Sequence, residues 1–336
     1  MRRHDRRWLW YIGTALIVLC TALWGTVGAL ALHFQAQPAA VWIAVWAVAM
    51  AGILVVTFRR GPIAGLFGLL LTFAVFSLWW MTITPTNTRD WQADVAQLPR
   101  ATRDPSDPSL ITFDNIRNFD WITETEFSPR WEQRSYDLDT IESLDLVLTY
   151  WAGPAIAHTM LSFGFSNGEH LVFSIGIRPA KGESYSSLAG FFKSYELIVT
   201  AADERDVIRL RTSVQTGNRV HLYRLQMPAG LRRGLFEEYI GLSNELAEEP
   251  RFYRTIIANC TTMIWGLVKR LDPDLPSDYR ILLPGYLPGL LYDLKALDMR
   301  FTLPELETLS LLPSDVPGSL DGPAYSAALR RGLPAP

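Results

Sequence analysis

The stretch PRFYRTIIANCTTMIWGLVKRL places an asparagine and a cysteine, Asn259 and Cys260, at the mouth of what reads as a helix. Met263, Ile264, Leu267, Val268 and Leu271 recur at i, i+3 and i+4, which predicts an amphipathic helix over 260–271. Asn259 is a strong N-cap type, and Asp272-Pro273 is a stop. Cys260 then lies in the first turn, facing inward, where unpaired N–H groups and the helix dipole favour an anion and so the nucleophilic thiolate. The competing reading is structural, because a free cysteine is also a common small hydrophobe of protein cores.

A thiolate nucleophile needs a base. Five histidines are present. His4 precedes the first apolar run and His33 sits at the edge of one, which leaves His158, His170 and His221. His158 falls inside the strand-like IAHTMLSFGF, where a polar ring among apolar neighbours requires a partner. His170 and His221 read as surface positions. A third group should orient the imidazole, and here the hairpin through Asn167-Gly168 decides what is possible. A two-residue loop pairs His158 with Ile177 and turns Ser174 to the opposite face. A three-residue loop with a bulge at Gly168 pairs His158 with Gly176 and puts Ser174 and His170 on the same face as His158. Ser174 is a third-member candidate only in the second register.

The elements that must hold these residues read as α+β. LDLVLTYWA, IAHTMLSFGF and HLVFSIGIR have strand character, the last two flanking the Asn-Gly turn. ITFDNIRNFDW, SYELIVTA, DVIRLRTSV and RVHLYRLQM follow suit; in VIRLR, Arg209 and Arg211 alternate with Ile208 and Leu210 as in a half-buried strand. Helices are expected at about 230–249, at 260–271 and over LYDLKALDM. The expectation is an antiparallel sheet followed by helices.

The first ninety residues are of another kind. No Asp, Glu, Lys or Arg lies between Arg7 and Arg59, or between Arg60 and Arg89. A membrane span needs about 20 apolar residues, and three fit, at roughly 8–32, 39–58 and 62–81. Arg2, Arg3, Arg6 and Arg7 before the first span, and Arg59 and Arg60 between the second and third, put those ends in the cytoplasm. Residues after about 84 then lie outside, in an oxidising compartment where Cys260 has no partner, since Cys20 falls within the bilayer. GALALH offers a signal-peptidase-like site at Ala29–Ala31, but the apolar run is too long and two more spans follow. Leu19 before Cys20 is a poor lipoprotein cleavage context. Residues 1–83 hold six arginines and one aspartate, so the rest carries −8 of the whole-chain −3. An acidic exported domain without a basic patch or zinc-finger spacing excludes nucleic acid as a partner.

At RNFDW, AHTMLSFGF, SIGIR, DERDVIRLRT and FYRTIIANCTT, in that order over about 115–270, the sequence resembles the Lnb N-terminal periplasmic domain family, named for bacterial lipoprotein N-acyltransferases. The likeness continues more weakly through LLPGYLPGLLYDLKAL and YSAALR. Asn-Cys at a helix start with histidine on an earlier strand is also similar to the permuted papain-like thiol enzymes, including lecithin:retinol acyltransferase relatives. The resemblance implies Cys260 as nucleophile, His158 as base, Asn259 as cap, and Glu204 and Asp206 in a turn that lines or braces the site. Family members often carry glutamate where SIGIR has Gly176. It implies a phospholipid acyl donor, a lipoprotein amine as acceptor, and neither cofactor nor metal. The resulting expectation is an inner-membrane protein with a three-helix anchor (1–83), a linker (84–112), a periplasmic Cys/His domain (113–300) and a C-terminal extension (301–336). The alternatives are a cysteine hydrolase of envelope amides or esters and a non-catalytic envelope module whose cysteine is structural.

Overall fold

The three apolar runs become helices α1 (Arg3–Gln35), α2 (Ala39–Arg60) and α3 (Pro62–Thr82) in a computed structural model that describes residues 3–334. Arg2 lies outside the described residues. Each helix is long and apolar enough to cross a membrane. Small residues let them approach: the Trp46 ring lies against Gly28, and its Nε1 donates to Gly25 O at 3.0 Å. Leu16, Leu23, Val48 and Leu71 point outward, each more than half exposed. One segment from far along the chain, Ser186–Ser194, groups with these helices. Within that unit Phe192 stacks on Phe34 at 5.6 Å, Gln35 Nε2 donates to Phe192 O at 2.7 Å, and Lys193 Nζ donates to the carbonyls of Trp80 and Ile83.

The second unit, Thr86–Tyr185 with Tyr195–Pro336, is built on one sheet. Its strands are β1 (Arg100–Arg103), β2 (Leu110–Arg117), β5 (Trp131–Asp137), β6 (Ile141–Ala152), β7 (Ile156–Phe165), β8 (His170–Arg178), β9 (Glu196–Asp203) and β10 (Arg219–Arg224); β3 (Asp120–Trp121) and β4 (Phe127–Ser128) form a small separate ladder. The order is β1-β2-β9-β8-β7-β6-β10, with β5 also on β2. All pairings are antiparallel except the brief parallel contact of β2 with β9. Helices follow: α4 (Glu204–Arg209), α5 (Ala229–Glu248), α6 (Cys260–Leu271), α7 (Leu287–Asp293), α8 (Leu303–Leu309) and α9 (Gly322–Leu329). The architecture is α+β, as expected.

Alternation along the strands divides the core in two. Leu161, Phe163, Phe173 and Val199 face α5 and α6, meeting Phe236, Tyr239, Ile264 and Leu267. Val147, Met160, Val172 and Ala202 face the other way, toward Val207 and Ile208 of α4 and toward Leu312, Tyr325 and Leu329 near the C-terminus. The β7–β8 hairpin takes the three-residue loop: Phe165 N donates to Glu169 O, Gly168 sits at φ +83°, and Met160 pairs with Ser174. That register puts Ser174 and Gly176 on the face of His158.

Several expectations are corrected. DVIRLRTSV is not a strand. Asp203 caps it through Arg205 N, residues 204–209 turn as α4, and Leu210–Val214 continue as a π-helical turn. Charged side chains interleaved with Val207, Ile208 and Leu210 need partners in several directions, which a helix supplies and a two-faced strand does not. The linker at 84–112 is largely structure: Trp91 bridges Ala180, and β1 is an edge strand bonded to β2. The extension at 301–336 covers one face of the sheet. The helix read in LYDLKALDM starts four residues earlier and ends at Asp293, because Lys295 adopts φ +56° and Ala296 O accepts from Gln226 N.

Candidate functional site

Helix α6 begins as its sequence demands. The Asn259 side chain accepts from the amides of Thr261 and Thr262 at 3.0 and 2.9 Å, and Thr262 Oγ1 accepts from Asn259 N at 3.0 Å, a complete capping box. The cap consumes the second and third amides. The amide of Cys260 itself, at the first helical position, has no hydrogen bond among the described residues. The helix seats on the sheet through a buried hydroxyl pair, Thr159 Oγ1 to Thr261 Oγ1 at 2.7 Å. These are the residues directly after His158 and Cys260, so one hydrogen bond sets the spacing of strand and helix at the site.

Because strand residues alternate, Thr159 faces α6 while His158 faces away. The two sides communicate because the β7–β8 ladder stops at Met160–Ser174. Beyond it β7 stays with β6, where His158 lies opposite Thr149, and β8 stays with β9. A cavity of about 530 Å³ occupies the split, lined on one side by His158, Ser174 and Gly176 and on the other by Tyr253 and Cys260. Cys260 is buried, and its Sγ lies 3.7 Å from Thr261 Oγ1. His158 Nε2 and Ser174 Oγ are 2.8 Å apart. No hydrogen bond joins the thiol to the imidazole among the described residues, and the shared cavity is what relates them.

Electrostatics at the site follow from burial. His158 is part-buried and lines the cavity; desolvation, and then the positive charge of Arg211, push its pKa down to about 3. The imidazole is therefore neutral near neutral pH. Burial first, and then the neighbouring Cys260, raise the phenols of Tyr239 and Tyr253, so both remain protonated. The Tyr239 hydroxyl is buried without a partner among the described residues.

The remaining expected site residues separate. Ser174 is at His158. Asp206 is fully buried, outside the lining and saturated: it accepts from Arg117 Nε and Nη2 at 3.0 Å each, and from Phe119 N and Trp121 Nε1 at 2.8 Å each. It holds Arg117, which does line the cavity. Glu204 is outside the lining, bound to Ser162 and to Arg330, which also grips Asp145. His221 is buried rather than on the surface, with Nδ1 3.0 Å from Ser310 Oγ. His170 sits beside Gly164, at the turn end of the hairpin.

A comparison with protein-family models assigns part of this fold. The model of the Lnb N-terminal periplasmic domain matches residues 127–285. Over that segment the chain is similar to the Lnb N-terminal periplasmic domain. No curated protein and no solved structure matches the chain. The matched segment contains His158, Ser174, Gly176, Glu204, Asp206, Asn259 and Cys260, whereas Arg117 comes from outside it. Sequence reading missed several cavity or near-cavity groups, among them Arg117, Thr149, Arg211, Tyr239 and Tyr253. Tyr253, within the FYRTIIANC motif, was within reach. Arg211 was hidden by the strand reading of its segment.

Proposed function

We propose that this envelope protein is a thiol acyltransferase in which Cys260 carries the acyl group and His158 moves the protons. The observation that supports this most is the common cavity of His158 and Cys260, spaced by the Thr159–Thr261 bond. The neutral imidazole has the state a general base needs. In the tautomer where Nε2–H donates to Ser174, Nδ1 has a free lone pair. Catalytic hydrogen bonds in empty sites are often long and close when substrate arrives, so the unmade thiol–imidazole bond fits this reading. His158 takes the Cys260 proton as sulfur attacks an ester carbonyl of a phospholipid. The unused Cys260 amide donates to the developing oxyanion. Collapse expels the lipid alkoxide, which takes the proton from His158, leaving lysophospholipid and a thioester. An amine, on the family's pattern the N-terminus of a lipoprotein, then attacks the thioester; its proton returns through His158 to the thiolate. Three spans in the inner membrane, with the sheet domain in the periplasm, would hold this site near both lipidic substrates.

Intact-protein mass spectrometry after incubation with phospholipid, without an amine, tests the reading. The expected result is an adduct of acyl mass that neutral hydroxylamine removes and that Cys260→Ser and His158→Ala lack. Free fatty acid with no adduct would instead make the protein a hydrolase. If neither forms, the cysteine is structural and the protein a non-catalytic envelope module.

A further inference from the structure

Two polar groups in the cavity have no task in the acyl-transfer steps. Arg211 carries five N–H donors; one donates to Val207 O at 2.8 Å, and no ion pair of Arg211 forms among the described residues. The carboxylates whose charge acts on it are engaged elsewhere. Asp206 is saturated by Arg117 and its neighbours, and Asp94 lies 3.9 Å from Arg117 Nη1. Burial and then the charge of Arg117 lower the Arg211 pKa to about 10, which leaves it cationic at neutral pH. The second group is Thr149, 3% exposed, whose Oγ1 has no hydrogen-bond partner among the described residues. It pairs across the ladder with His158 and lines the same cavity as Arg211. A buried hydroxyl left without a partner is destabilising, and so is a buried cation with most of its donors idle. Arg211 also stands in the π-helical turn closed by Gln215 N to Leu210 O at 2.8 Å, a widening that recurs at functional sites.

We propose that Arg211 and Thr149 form an anion subsite beside His158 that takes a phosphodiester, the headgroup phosphate of the lipid acyl donor. One uncommitted positive charge matches the single negative charge of a phosphodiester, and a cavity of about 530 Å³ holds a headgroup together with the neighbouring ester. The guanidinium fork and a hydroxyl supply the donors that phosphate oxygens accept. The proposal identifies the donor of the acyl-transfer reading and rests on it; free phosphate shares the chemistry and is the other source to be distinguished.

The test separates binding from turnover. Full-length Cys260→Ser protein in detergent is titrated calorimetrically with glycerophosphoethanolamine, inorganic phosphate and glycerol. The expected result is binding of the phosphodiester and not of glycerol, weakened at least tenfold by Arg211→Gln and severalfold by Thr149→Val. Thr149→Val is nearly isosteric, so it decides the matter if Arg211→Gln does not fold. Binding of inorganic phosphate alone would overturn the lipid source. Absence of phosphodiester binding, or binding that neither variant weakens, would overturn the subsite. These outcomes hold whether or not Cys260 forms a thioester, so this proposal and the acyl-transfer reading fail separately. With Cys260 intact, Arg211→Gln should raise KM for phospholipid and leave diacylglycerol unchanged. Equal slowing of both would show that the guanidinium acts at the reaction centre instead.

Discussion

Gly176 marks the largest departure of this cavity from the pattern the family resemblance implies. A Cβ there would meet nothing within 4 Å, and the register turns it toward His158. Gly176→Glu should therefore be tolerated and place a carboxylate in the cavity. An opposite charge nearby favours imidazolium, so the His158 pKa should climb from about 3 by roughly one to three pH units. An NMR titration of the His158 ring protons reads this directly; an unmoved curve would mean that position 176 does not address the ring. At this scale Cys260, Asn259 and His158 were legible because each carries its own signal: a capped helix start, or a polar ring in an apolar strand. Thr149 and Arg211 carry none. A threonine in a strand is ordinary until its cross-strand neighbour and missing partner are seen.

The elements were legible where one period ran long enough. Helix α6 follows its stripe and cap, and β7 and β8 follow the Asn-Gly turn, although only the structure chooses the three-residue loop. The segment 204–214 defeated the reading because four residues of alternation fit a strand and a helical turn equally well. Its capping aspartate, Asp203, was the available clue. The cap of α6 gives the element-scale prediction. Asn259→Ala removes the acceptor for the Thr261 and Thr262 amides and should cost about 1 kcal/mol. Asn259→Ser should recover most of it. Chemical denaturation of the full-length protein in detergent measures both, and equal stability of alanine and asparagine would deny the cap its role.

Across the whole molecule, buried ions join distant parts of the chain: Arg330, beyond α9, holds Glu204 and Asp145 against the sheet. Burial raises the Glu204 pKa, but Arg330, with help from the His170 charge and the Ser162 hydroxyl, outweighs it, so the carboxyl is held far below its ordinary value. A carboxylate depressed in this way adds stability that is complete above its unfolded pKa, about 4.3, and fades as pH falls below it. Arg330→Met takes the only ion-pair partner of Glu204 among the described residues, while Asp145 keeps Arg224, and should cost about 3–5 kcal/mol at pH 7. Burial is then the largest influence on Glu204, opposed only by the Ser162 hydroxyl and the His170 charge, so the variant should become less unstable as pH falls, opposite to wild type. Denaturation at several pH values checks the sign. Beyond Glu204 as a bracing residue, little of this was readable in sequence, since the tail beyond residue 301 has short helices and frequent prolines, and only its packing shows that it completes a core.

The β8–β9 connection, Ser186–Ser194, has a practical side. The polypeptide leaves the sheet unit at Tyr185, lodges Phe192 and Lys193 among the apolar helices, and comes back at Tyr195. A chain begun at Thr86 would thus bring that segment into water without Phe34, Gln35 or Trp80 to receive it, and with Leu188 and Phe191 already about half exposed. Severing the anchor in one place does not free the domain. A soluble version needs two edits, the second a short polar bridge from Tyr185 to Tyr195.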